Sequence, residues 1–187
     1  SSAFAAIECG ADIIYSAQSL DFVEAMAKQG IAVCGHLGLV PAKASWTGGF
    51  RAVGKTAKQA LSLFQQIKDL ENAGAFAVEL EVVPDRVASE IARRSQLLTI
   101  SMGAGAGCDV QYLFSSDIFG ETVGRLPRHA KAYRNFKAEY DRLQQDRIVG
   151  YQEFAQDVQS GAFPGDGQLV KISDEEFDKM MDGLEQT

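Results

Sequence analysis

Chemistry in this chain is carried by a few polar residues placed at the ends of apolar runs. IAVCGH ends on His36, FAVELE ends on Glu81, and LLTIS ends on Ser101, just before the glycine-rich GAGAG that starts at Gly103. Read from the residues alone, Glu81 is either a carboxylate desolvated by Leu80 and Val82, with a raised pKa, or one paired with an arginine. His36 at a strand end is a hydrogen-bonding group, structural or substrate-facing. GAGAG either lets backbone approach a substrate closely or forms a flexible turn. A further pattern is phosphate-like: Gly49, four residues, then Gly54-Lys55-Thr56 spell G-x-x-x-x-G-K-T. That motif cradles phosphates only when a strand feeds its first glycine and a helix opens at its lysine. The residues before Gly49 are VPAKASWTG, with Pro41, Lys43 and no β-branched run, and the nearest strand ends at His36. The pattern is read as a surface loop capping the helix that begins at Thr56, not as a nucleotide site.

The elements that position these residues alternate. The periodicity predicts the end of a helix at 3–8, a short strand at 12–15, a helix at 20–29 with Phe22, Val23 and Met26 on one face, and a buried strand at 31–36. A long amphipathic helix follows at 56–73 with Leu61, Phe64, Ile67 and Leu70 facing inward. After it come a strand at 76–81, a helix at 86–94, a strand at 97–101 and a last strand near 111–115. Strands and helices alternating in this way mean βαβ units and a parallel sheet. The C-terminal edge of such a sheet is where active sites sit, which is the edge carrying His36, Glu81 and Ser101. About five strands are visible, against the eight of a closed (β/α)8 barrel. The expected fold is therefore α/β, the later part of a TIM-type barrel whose first strands precede this sequence. It is read as one domain, with barrel elements over 1–135 and extra C-terminal helices and a tail over 136–187.

Composition removes several function classes. The 187 residues carry a net charge of −7, which argues against a general nucleic-acid binder, since phosphates need a basic surface. No apolar run approaches the ~20 residues needed to span a bilayer, and the N-terminus has no signal-peptide pattern. Three cysteines, Cys9, Cys34 and Cys108, are odd in number and widely spaced, so reduced, mostly buried thiols in a cytoplasmic protein are expected.

Five segments taken in order carry a resemblance. They are CGHLGLVP from Cys34, GGFRAVGKT from Gly48, ELEVVP from Glu79, ISMGAGAGCDVQ from Ile100 and SSDIFG from Ser115, with AFPGDG from Ala162 closing the series. Their order and spacing resemble the ketopantoate hydroxymethyltransferase family, part of the phosphoenolpyruvate mutase/isocitrate lyase superfamily of barrels. The resemblance runs from Gly10 to about Gly165. It implies transfer of a hydroxymethyl group from 5,10-methylenetetrahydrofolate to 3-methyl-2-oxobutanoate, giving 2-dehydropantoate for pantothenate and coenzyme A synthesis. It implies Glu81 as the general base, with His36, Ser101 and Gly103 around the substrate. It also implies Mg²⁺ or another divalent metal on the 2-oxo acid, and a homo-oligomer.

The departures bear on the same site. Tyr15 stands where the resemblance expects a lysine, and Ala17 where it expects an acidic residue of the metal environment. The other metal ligands are expected on early strands before this chain, so no ligand is assigned here. D-G-Q has become Asp109-Val110-Gln111, and H-D has become Ser116-Asp117. Two further readings follow: a superfamily member acting on another 2-oxo acid as a C–C lyase or transferase, or a catalytically silent paralogue. At the far end, Ser173 and Glu176 form a capping-box pattern, and Phe177, Met180, Met181 and Leu184 form an apolar stripe that docks on its own core or on a neighbouring subunit.

Overall fold

Side-chain alternation along a strand decides what each face of a sheet meets, and here the two faces differ sharply. In the computed structural model, which describes residues 2–185, five strands form one wholly parallel sheet. They are β1 (Ile14–Ser16), β2 (Val33–Gly38), β3 (Ala77–Glu81), β4 (Leu98–Met102) and β5 (Val110–Gln111). Each pairs with the next in chain order, β1 to β5. The crossovers carry helices α2 (Leu20–Ala27), α3 (Ala57–Asn72) and α4 (Asp85–Arg94), and α1 (Ser2–Glu8) precedes β1. Sequential order without reversal differs from a doubly wound sheet, which needs a switch point. The α/β class and parallel sheet expected from the periodicity are therefore present.

One face of the sheet is apolar and covered by helices. Val33 of β2 and Val78 and Leu80 of β3 join Val23 of α2, Leu63, Ile67 and Leu70 of α3, and Ala88 and Ile91 of α4 in a single core. Gly35 lets Leu70 come close: a Cβ there would lie 2.8 Å from a Leu70 methyl. The N-terminus of α3 is capped as expected, with Thr56 Oγ1 accepting from the Gln59 backbone N–H at 3.3 Å. The inward face of α3 is rotated from the one predicted. Leu61 is 70% exposed and Leu63 takes its place in the core, and Phe22 of α2 is likewise exposed while Val23 is buried. A leucine-rich helix admits more than one apolar stripe, and the sheet beneath selects among them.

Other expectations are corrected at boundaries. The last strand covers only Val110–Gln111, and Ser115 opens a short helix, α5 (Ser115–Phe119), instead of closing a strand. Gly120 in the left-handed conformation at φ 67° ends that helix. Of the cysteines, Cys34 is buried, Cys108 intermediate and Cys9 exposed, so the thiols are not mostly buried. A 3₁₀ helix at Pro41–Thr47 leads into Gly48 and Gly49, so a helix and not a strand precedes the phosphate-like pattern.

Residues 136–187 form a second compact unit, separate by contacts from residues 1–135. It holds α6 (Phe136–Ser160), a 3₁₀ turn at Asp166–Gln168 and α7 (Asp174–Glu185). The spaced ion pairs Lys137–Asp141 and Arg142–Asp146 lie along α6, and Phe154 meets Phe163 edge-on at 5.3 Å. Ser173 Oγ accepts from the Glu176 backbone N–H, as the capping pattern predicts. Within the unit, Phe177, Met180, Met181 and Leu184 are all exposed.

Ile67 is fully buried at the centre of the helix-covered core. Ile67→Ala is expected to cost about 2–5 kcal/mol, read as a shift in the urea unfolding midpoint. ATP and GTP are expected not to bind at Gly49 to Thr56. Micromolar binding in calorimetry that disappears in Lys55→Ala would overturn this.

Candidate active site

Strand register puts the polar residues on the face opposite the helix-covered core. His36 pairs with Glu79, Gly38 with Glu81, and Tyr15 with Cys34. Residues two apart on a strand share a face, so Glu79 and Glu81 point the same way, towards His36. This face lines a cavity of about 770 Å³, whose walls include Tyr15, Ala17, His36, Glu79, Glu81 and Gln111. His36 and Glu81, predicted on one edge of the sheet, are in direct contact: Nε2 to Oε2 is 2.9 Å.

The backbone around Glu81 is held tightly. Its carbonyl accepts from the Leu39 N–H at 2.8 Å, and the Val82 N–H donates to the Met102 carbonyl at 2.8 Å. Gly38 has φ 89°, and a Cβ there would lie 2.3 Å from the Glu81 carbonyl oxygen, so only glycine fits beside the carboxylate's strand. Val82, the next residue, has φ 51°, a left-handed conformation that a β-branched side chain rarely adopts. Strain of this kind costs on the order of 1–3 kcal/mol and persists only where the surroundings over-determine the turn. Here three neighbouring strands do so, and the result is a fixed exit for the chain directly after Glu81.

Burial dominates the electrostatics. The side chains of His36, Glu79 and Glu81 are only 5%, 7% and 16% exposed. Burial, reinforced by the neighbouring Glu79 charge, pushes Glu81 up from the ordinary 4.5 to about 7. Burial raises Glu79 as well, against a lowering hydrogen bond from the Tyr15 hydroxyl. His36 is lowered, chiefly by burial, with the Leu39 backbone working against the shift and Lys43 adding to it. Lys43 reaches the cavity rim, where its Nζ donates to the Ala17 carbonyl at 2.8 Å. Tyr15 stacks at a tilt on His36 with ring centroids 5.5 Å apart, and burial also raises its hydroxyl pKa. Cys34 beneath is pushed up to about 11 by burial, so its thiol stays protonated.

The remaining residues singled out in the sequence lie elsewhere. Ser101 pairs with Leu80 and so points to the helix side, where its Oγ accepts from the Ala104 N–H at 3.1 Å. Gly103 is packed against His129: a Cβ on it would lie 2.7 Å from that side chain. Neither is among the described residues that line the cavity. The other glycines of GAGAG serve helix packing, with Gly105 close to Asp85 and Gly107 close to Ser89 of α4. Asp109 accepts from the Thr99 N–H and hydroxyl at 2.8 and 2.7 Å, fixing the turn between β4 and β5. Asp117 is buried and accepts from the Thr122 hydroxyl.

Glu79 was missed in the sequence, although the alternation in ELE signals that it shares a face with Glu81. Ala17, where an acidic residue is expected, contributes no ligand atom. The donor atoms that fit a divalent cation are instead those of His36, Glu79 and Glu81, which all lie within 4.8 Å of one another. A carboxylate able to hold a proton near neutrality beside a neutral imidazole can remove a proton from carbon and return it.

The raised Glu81 has a consequence for stability. The folded chain binds more protons than the unfolded one between pH 4.5 and about 7, so Glu81 makes stability fall as pH rises through that window. His36, lowered from 6.5, acts oppositely, its contribution being lost as pH falls. In chelator-treated protein, the difference in urea midpoint between wild type and Glu81→Gln is expected to change across pH 4.5–7. A pH-independent difference would show that Glu81 titrates normally.

Comparison with known proteins agrees with the geometry. The family model described as ketopantoate hydroxymethyltransferase matches residues 5–166. A 3-methyl-2-oxobutanoate hydroxymethyltransferase of Enterococcus faecalis is 37% identical over 160 residues, covering 86% of this chain and 56% of that protein. One from Halalkalibacterium halodurans is 32% identical over 179 residues, covering 94% of this chain and 62% of its own length. The 3-methyl-2-oxobutanoate hydroxymethyltransferase 1 of Methylibium petroleiphilum is 32% identical, with 87% and 53% covered. The chain thus spans somewhat more than half the length of these curated relatives. By the family model and these identities, the chain belongs to the ketopantoate hydroxymethyltransferase family.

Proposed function

We propose that this chain supplies the catalytic base of an enzyme that transfers a hydroxymethyl group from 5,10-methylenetetrahydrofolate to 3-methyl-2-oxobutanoate, forming 2-dehydropantoate. The observation that carries the reading is the contact between a buried Glu81, with its pKa near 7, and His36 at the cavity wall. The relatives' shared name supplies the substrate. The carbon to be deprotonated lies next to a ketone, and a carboxylate in water is too weakly basic to do this efficiently. Burial raises the basicity of Glu81 while leaving it largely ionised at neutral pH, the balance a general base needs.

In this scheme Glu81 takes the proton from C3 of the 2-oxo acid, and the enolate carbon attacks the one-carbon unit of the folate. His36 holds one Glu81 oxygen through Nε2, which orients the other towards substrate. Ile100 and Val110 keep water from the cavity wall. His36, Glu79 and Glu81 are the donors that would hold a divalent cation such as Mg²⁺, and a bound cation supplies positive charge at the enolate oxygen. Ser101 and Gly103 shape the turn beside the cavity from behind, Ser101 by holding the Ala104 amide.

The wider assignments are of the same standing. A (β/α)8 barrel forming one domain with the later helices is supported by the sequential parallel order of the five strands. A homo-oligomer is supported by exposed apolar side chains such as Phe154, Met180 and Leu184 on α6 and α7. Among the described residues no helix is long and apolar enough to cross a membrane, which fits a cytoplasmic enzyme.

Proton exchange isolates the base from the transfer step. The full-length protein with Mg²⁺ is expected to exchange the C3 proton of 3-methyl-2-oxobutanoate for deuterium without folate. Glu81→Gln is expected to slow this by roughly 10²- to 10⁴-fold. Exchange unchanged by Glu81→Gln, followed by proton NMR, would remove Glu81 from the base role.

A further inference from the structure

Glu79 is the one carboxylate on the cavity wall for which deprotonation of the substrate has no use. Its side chain is 7% exposed, and no lysine or arginine is among the described residues that line the cavity. Burying an isolated ionised carboxylate is so costly that such groups are found paired, protonated or bound to a metal. The Tyr15 hydroxyl gives Glu79 one hydrogen bond, while a carboxylate offers about four acceptor sites. Glu79 therefore sits in the cavity with acceptor capacity to spare and no counter-charge.

His36 is turned in the matching way. Nε2 lies 2.9 Å from Glu81 Oε2 and 3.9 Å from Glu79 Oε1. The Leu39 backbone hydrogen-bonds the same ring in the sense that favours its protonated form, as a carbonyl acceptor does. With Nε2 facing the glutamates, the nitrogen left for Leu39 is Nδ1. A ring whose Nδ1–H is held by backbone presents its lone pair at Nε2, and histidines that bind metals are held in this manner. Two strands thus bring a nitrogen lone pair and two buried carboxylates to one point, with a tyrosine behind one of them.

We propose that His36 Nε2, Glu79 and Glu81 form a binding site for one divalent transition-metal cation, with Tyr15 as the outer hydrogen-bond donor that orients Glu79. One imidazole and two carboxylates leave coordination positions open to the cavity. The nitrogen donor favours cations such as Co²⁺, Zn²⁺ or Fe²⁺ over Mg²⁺, which prefers oxygen alone. The site stands on geometry and meets the reaction proposed above only at Glu81. A chelating 2-oxo acid that takes Glu81's place on the cation leaves that carboxylate free beside the carbon it deprotonates.

The test needs no turnover. Full-length protein stripped with chelator and titrated with Co²⁺, without substrate, is expected to bind one ion with visible absorption bands that Zn²⁺ abolishes. Tyr15→Phe is expected to weaken binding by roughly 10- to 100-fold, and Glu79→Gln by more than that. Glu79→Asp, which keeps the charge, is expected to stay within about tenfold of wild type, and Glu90→Gln on the exposed face of α4 to leave affinity unchanged. Bound Mn²⁺ in the wild type is expected to show imidazole nitrogen coupling in pulsed electron paramagnetic resonance, a readout that depends on no variant folding. An all-oxygen signature, no bound Co²⁺, or affinity unaffected by Glu79→Gln would overturn the site. Co²⁺ binding that depends on Glu79, together with proton exchange that ignores Glu81, would keep the site and discard the base assignment. The reverse pair of results would keep the base and discard the site.

Discussion

The constraint from which the rest of this structure follows is the cost of keeping two glutamates side by side out of water. Glu79 and Glu81 leave the same strand in the same direction, and each raises the other's affinity for protons or cations. Such a pair survives only where the backbone cannot relax to expose it. β3 supplies that rigidity by lying between β2 and β4, with its other face buried in the helix-covered core. Leu80, between the two carboxylates in sequence, is fully buried on that opposite side. Turning the glutamates outward would therefore bring Leu80 out of the core.

The neighbouring oddities serve the same end. Gly38 gives up its side chain so that Leu39 can donate to the Glu81 carbonyl, and Val82 accepts an unfavourable φ to turn the chain sharply after Glu81. His36 is fixed from two sides, by Glu81 at Nε2 and by the Leu39 backbone. Tyr15 stacks on the imidazole and bonds Glu79, so the residue standing in place of an expected lysine has become part of the carboxylate's support. Substitution of a cation by a phenol there changes the wall of the cavity from positive to hydrogen-bonding without opening a gap.

The family's loops are reused in ways their sequence does not announce. GAGAG reads as a loop built to approach a ligand, yet two of its glycines are small because α4 lies against them and Gly103 is small because of His129. Ser101 looks like a substrate contact because it ends a strand, but strand parity turns it to the helix side, where it caps the glycine turn. Position along a strand tells how far a residue lies from the active edge; only parity tells which face it serves.

From the sequence alone, the alternation of strands and helices, the cap at Thr56, the broken phosphate-loop context before Gly49 and the importance of Glu81 and His36 were legible. All of these are local: they depend on periodicity, on hydrogen-bonding chemistry within a few residues, or on a motif's own neighbours. The pairing of Glu81 with His36 across 45 residues, the recruitment of Glu79 and Tyr15, and the choice of Leu63 over Leu61 were decided by tertiary structure. The physical reason is that periodicity fixes relative spacing but not absolute phase. Which stripe of a helix faces inward, and which residues of two strands stand opposite, is set by the surface each element packs against, and that surface exists only once the sheet has formed.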